Sequence, residues 1–176
     1  MKTPNKLLIY ALAFGALILL APLKIKLAVV PITFQTLVIF TTAALLGRRF
    51  ALIATLAYLL LGALGLPVFG NYTYGLAKLT GYTAGFLWGF VPTAYYVAWD
   101  ITRRETHFVN TMGTMLRAHL LLLIPGFAVL YFTYPGVNLW GTFVRLLPGL
   151  TIKTAVGGLL VTWLYSKINV HAHRPD

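Results

Sequence analysis

Long stretches without a single Asp, Glu, Lys or Arg divide this chain of 176 residues. There are 17 such residues between Lys6 and Lys24, 21 between Lys26 and Arg48, and 28 between Arg49 and Lys78. A further 21 separate Lys78 from Asp100, and 27 separate Arg117 from Arg145. A helix that crosses a bilayer needs about 20 predominantly apolar residues, so these runs predict five spans. A sixth is expected from Pro148 to Ser166, with one charge, Lys153, near its start. The expected spans are 7–22, 32–46, 50–66, 82–99, 116–134 and 148–166. Composition agrees, since 59% of residues are hydrophobic and 10% charged, where a soluble domain carries about 25% charged residues. The reading is an all-α integral membrane protein, six transmembrane helices in a compact bundle, forming a single membrane-embedded domain over residues 1–176.

Lys2 and Lys6 precede the first run as they would precede a signal peptide, but no small-x-small cleavage site follows. It is read as a retained first span. Alternate connections differ in basic content. One set holds Lys2, Lys6, Arg48, Arg49, Arg103, Arg104, Lys167 and Arg174, with Arg117 at its edge; the other holds Lys24, Lys26, Lys78, Arg145 and Lys153. The richer set is expected on the cytoplasmic side, which places both termini there. The connections 23–31 and 67–81 then face outward, where irregular backbone can line a ligand cavity. The net charge of +11 sits mainly at the edges of apolar runs. That placement suits anionic lipid headgroups better than nucleic acid.

The inventory of reactive groups excludes much chemistry. Absence of Cys removes disulfides, a thiol nucleophile and thiolate metal sites. Asp100, Glu105 and Asp176 are the only carboxylates, all at expected cytoplasmic ends or in the tail. No enzyme site, metal site or bound cofactor is expected from them, nor ion coupling through an intramembrane acid. No phosphate-loop motif is present, so uphill movement of a solute would need energy from a partner. Lys153, one turn inside the sixth span, is open to two readings: a side chain snorkelling to the interface, or a cation awaiting an anionic ligand. Arg145 and Lys78 are further cations on the same expected side. Asn71, Gln35, Thr33, Thr36, Tyr82 and Thr83 offer neutral hydrogen-bonding groups there. Gly81, Gly85 and Gly89, spaced by four, predict close helix packing, as do Ala11 and Gly15 in the first span. Trp88, Trp99, Trp140 and Trp163 fit interfacial belts. His107 and His119 are isolated and carry no metal expectation.

Four segments in this order are distinctive: Val30-Pro-Ile-Thr-Phe-Gln-Thr36, Leu60-Leu-Gly-Ala-Leu-Gly-Leu-Pro-Val-Phe69, Gly81-Tyr-Thr-Ala-Gly-Phe86 and Leu147-Pro-Gly-Leu-Thr-Ile-Lys153. Together they resemble BioY, the biotin-binding S component of energy-coupling factor transporters, over residues 5–166. The resemblance implies six helices, both termini cytoplasmic, and an outward-facing biotin pocket roofed by the connection between the first two helices. It also implies partners: a membrane T component, faced by Ala11 and Gly15, and two ATPases. Lys153 would contact the biotin carboxylate. The family's acidic position near the ureido ring is occupied here by Leu150, and Lys78 is a candidate to stand in for an arginine found in some members. Two alternatives remain at this point: an S component for another small anionic vitamin, and a non-transport subunit of a membrane complex.

Overall fold

The computed structural model describes residues 6–27 and 30–167. Seven helices occur among them: α1 (Lys6–Leu20), α2 (Gln35–Leu46), α3 (Arg48–Ala63), α4 (Leu76–Thr80), α5 (Ala84–Thr102), α6 (Phe108–Thr133) and α7 (Leu139–Lys167). The bundle also contains a short antiparallel hairpin, β1 (Lys24–Leu27) with β2 (Val30–Thr33), paired from Lys24↔Thr33 to Leu27↔Val30. This hairpin is a local addition to an otherwise all-helical fold. A β-strand needs only a few residues to satisfy its ladder with one neighbour; Pro22 ends α1, and Pro31 biases Val30 toward extended backbone. The amide of Phe34 donates to the Leu23 carbonyl (3.0 Å), which closes the base of the hairpin.

At about 1.5 Å per residue, α6 and α7 run about 39 and 43 Å. They are the two described helices that combine spanning length with high apolarity. Both begin earlier than expected, at Phe108 rather than 116 and at Leu139 rather than 148. Charge does not mark the helix ends here: Arg117 is accommodated inside α6 because Asp100 on α5 neutralises it (2.7 Å). Arg145 and Lys153 likewise fall inside α7. Pro92, Pro125 and Pro148 lie within helices, which neighbouring helices make tolerable in a membrane bundle.

The short helix α2 is buried on all sides, including Val38, Ile39, Phe40, Ala43 and Ala44. Such all-round burial explains why it shows no apolar stripe. Gly47 turns the chain directly from α2 into α3 with φ 81°, a left-handed conformation costly for other residues. The expected glycine face is real: a Cβ on Gly85 would fall on the Pro125 carbonyl, and one on Gly89 would meet Pro125 Cγ at 2.8 Å. Helices α5 and α6 are therefore in backbone contact. Leu12, Leu19, Ile53, Leu60, Leu120, Ile124 and Leu159 are exposed while eight threonines are buried. Apolar outside and polar inside is the pattern of a bundle solvated by lipid. Many of these threonines satisfy their hydroxyls on their own helix, as Thr93 does on Gly89 (2.7 Å).

The ends of α2, α5 and α7 meet the start of α6. Tyr165 donates to the Ala44 carbonyl (2.6 Å), Thr162 to Thr111 (3.2 Å), and Thr114 to Asp100 (2.7 Å). Arg48, Arg49, Arg103, Arg104 and Lys167 gather at this end. The hairpin, the loop 64–75 and the first turns of α2 and α5 form the other.

Candidate ligand-binding cavity

At the hairpin end a cavity of about 360 Å³ opens between α2, α5, α6 and α7, beneath β1, β2 and the loop before α4. That volume lies in the range of small-molecule sites. Its walls are apolar: Phe69, Phe86, Leu87, Phe90, Leu122, Leu123, Leu146 and Leu150. Three lysines enter it, Lys24 from β1, Lys78 from α4 and Lys153 from α7. No Asp or Glu belongs to the lining among the described residues. Lys153 has no hydrogen-bond or ion-pair partner among them either. A cation with its stem on an apolar wall and no counter-charge favours an anionic ligand.

The neutral groups are held in fixed orientation. Tyr58, fully buried, donates to the Val68 carbonyl (2.9 Å). Its oxygen must then accept from Gln35 Nε2 (2.7 Å), so the Gln35 carbonyl oxygen is the group left for the cavity side. That oxygen lies where a Cβ on Gly70 would meet it at 3.2 Å. The motif around Gly62 also acquires a reason: a Cβ there would fall inside the Phe69 ring, which packs edge-on against Tyr58 (5.6 Å). Asn71 and Tyr72 adopt consecutive left-handed conformations (φ 62° and 56°) in a tight turn closed by Phe69 N to Thr73 O (3.0 Å). The Asn71 amide donates to the Pro22 carbonyl (2.9 Å), stapling this turn to the end of α1.

Of the eight residues singled out for a ligand, the cavity brings together six: Lys153, Asn71, Gln35, Thr36, Thr83 and Lys78. Tyr82 lies outside the lining and is exposed, its ring edge-on to Tyr134 (6.4 Å). Arg145 is exposed and outside the lining as well. Eight residues of continuous helix set it about 12 Å along the α7 axis from Lys153. Ala11 is exposed on α1, and a Cβ on Gly15 would meet open space. Thr33, another of the neutral groups, also lines the cavity, and Lys24, Phe86 and His119 line it without a ligand role expected from sequence. Lys24 stood in the expected outward connection, so its signal was visible but read only as a topology marker.

Residues 1–170 match the BioY family. The chain belongs to that family. It is 34% identical over 162 residues to the Biotin transporter BioY of Rhizobium etli, an alignment covering 86% of this chain and 87% of that one. It is 38% identical over 117 residues to the Biotin transporter BioY2 of Lactococcus lactis subsp. cremoris, covering 65% and 64%. With the Biotin transporter BioY of Thermotoga maritima it shares 40% over 100 residues, covering 56% and 59%. The matches to the latter two thus span about three fifths of those relatives' lengths. The fold is similar to a crystal structure described as the S-component for biotin from an ECF-type ABC transporter. The TM-score is 0.76 at 24% identity, over 92% of this chain and 90% of that one. As a BioY family member, the chain is a membrane protein.

Proposed function

We propose that this chain is the substrate-capture subunit for biotin uptake, a binding protein of the membrane rather than an enzyme. The observation that carries the reading is the cavity with three lysines, no described carboxylate and an unpartnered Lys153. Biotin has a carboxylate for a cation, a ureido ring for neutral hydrogen-bonding groups, and a thioether ring and aliphatic chain for apolar walls. Lys153 pairs with the carboxylate, aided by Lys24 and Lys78. Gln35, Asn71, Thr36 and Thr83 serve the polar groups. Family membership and the names of the relatives support the same ligand.

In this reading α1, α2, α3, α5, α6 and α7 are six spans of one domain over residues 1–176. Both termini are cytoplasmic and the protein lies in the cytoplasmic membrane with the cavity facing outward. The concentration of arginines at the end opposite the cavity supports that orientation. Energy comes from a T component and two ATPase subunits, with Ala11 and Gly15 on the open face of α1 toward the T component. Leu150 on the cavity wall favours testing other small anionic vitamins beside biotin. Calorimetric titration of the detergent-purified protein is expected to give saturable biotin binding at one site per chain, not displaced by other carboxylate vitamins. Absence of heat together with failure of biotin to compete against any bound vitamin overturns the reading.

A further inference from the structure

Three buried side-chain polar atoms among the described residues lack a hydrogen-bond partner: Thr41 Oγ1, Thr106 Oγ1 and His119 Nε2. Of these residues only His119 lines the cavity. It is 4% exposed, on the inward face of α6, with its ring edge-on to Phe40 (5.1 Å). Its other nitrogen is committed: Nδ1 lies 2.8 Å from the Met115 carbonyl and 3.2 Å from Thr154 Oγ1. A carbonyl can only accept, so Nδ1 carries a proton and donates it there. With no described carboxylate nearby and Lys153 on the same cavity, a second buried positive charge would be uncompensated, so the imidazole is neutral. Nε2 is then a lone-pair acceptor with nothing to accept. Buried acceptors are rarely left so, and such an exception calls for a partner from outside the chain.

We propose that His119 is a specificity-determining residue of the binding site, its Nε2 accepting an N–H from the bound ligand. The proposal rests on the biotin reading, in which the ureido ring supplies that N–H. The charged groups of the cavity are lysines, which only donate, and Leu150 offers no polar atom. Gln35, Thr73 and His119 are lining acceptors whose orientation the surrounding bonds fix. A site built to accept an N–H rejects ligands that lack it, because the acceptor is then buried unpaired.

The test measures binding of biotin, biotinamide and the two singly N-methylated ureido derivatives to wild type, His119→Leu and His119→Gln in detergent. His119→Leu is expected to weaken biotin and biotinamide alike, by about tenfold or more, and to add no further loss for one of the N-methyl derivatives. His119→Gln, which restores an acceptor, is expected to recover much of the biotin affinity and covers the case in which the leucine variant does not fold. Equal losses across all four ligands, or unchanged biotin binding by both variants, overturn the proposal. A loss confined to ligands with a free carboxylate also overturns it, by placing His119 at the other end of the ligand. Failure of wild type to bind biotin is a separate outcome that removes the functional reading beneath it.

Discussion

At one end of the bundle Asp100 receives Arg104 Nε (3.1 Å), Arg117 Nη2 (2.7 Å) and Thr114 Oγ1 (2.7 Å), and Arg117 Nε also donates to Tyr96 (2.9 Å). At the other end Lys24, Lys78 and Lys153 face a cavity with no carboxylate in its described lining. Both clusters place charge against apolar helices, yet one is closed upon itself and the other is incomplete. The closed cluster fixes how α5 meets α6. The incomplete one stores an electrostatic demand that a small anion can meet. Burial of charge alone therefore does not distinguish a structural from a ligand-binding role here; the presence of partners does.

The comparison is broken most directly by removing the central charge of each cluster. Lys153→Ala is expected to weaken biotin by about 2–5 kcal/mol, or about 30-fold to more than 1,000-fold, with little change in thermal stability of the ligand-free protein. Biotinamide, which lacks the carboxylate, should lose far less, and equal losses in a calorimetric titration would reject Lys153 as the carboxylate contact. Asp100→Asn should do the reverse. It is expected to cost about 1.5 kcal/mol of stability, the low end being chosen because Arg104 and Arg117 are 46% and 42% exposed. Biotin affinity should stay within about twofold. A matching loss of affinity in the Asp100 variant would show that the two ends are coupled.

Smaller effects sharpen the picture of the cavity end. Tyr58→Phe leaves the Val68 carbonyl unserved and frees the Gln35 amide to turn, which should cost about 1 kcal/mol of stability. A several-fold weakening of biotin should accompany it; intact affinity would show that the Gln35 carbonyl plays no part. Tyr72→Gly should be nearly neutral or stabilising by about 0.5 kcal/mol, since glycine removes the left-handed strain but gains freedom when unfolded. Thermal unfolding checks this, and a clear loss would mean that the Tyr72 ring supports the turn.

The parts of this architecture legible in the sequence were those governed by bulk solvation. Uncharged runs mark the bundle, and the glycines at 85 and 89 mark the close contact of α5 with α6, whereas Gly81 sits before α5 against the Ala77 carbonyl. The starts of α6 and α7 lie earlier than the uncharged runs indicate because Arg117 and Arg145 fall inside helices rather than at their ends. Arg117 has Asp100, and Arg145 is exposed. The hairpin was illegible because four-residue strands leave no period to read. Of the cavity lining, the residues legible in the sequence are the polar ones set in apolar surroundings, such as Lys153, Gln35 and Asn71. Adjacent residues entering α5 diverge, so Thr83 lines the cavity while Tyr82 packs edge-on against Tyr134. His119 left no signal, since one histidine in an apolar run looks the same whether its ring is satisfied or not. Only the third dimension shows which nitrogen is used.

The central claim is that the lysine-lined cavity holds biotin. It is tested most directly by quantifying biotin released by denaturation from protein purified out of biotin-fed cells. The account predicts about one biotin per chain, retained through size-exclusion chromatography, and a loss of that biotin in Lys153→Ala. Protein that carries none, and that takes up none when biotin is added in excess, would contradict it.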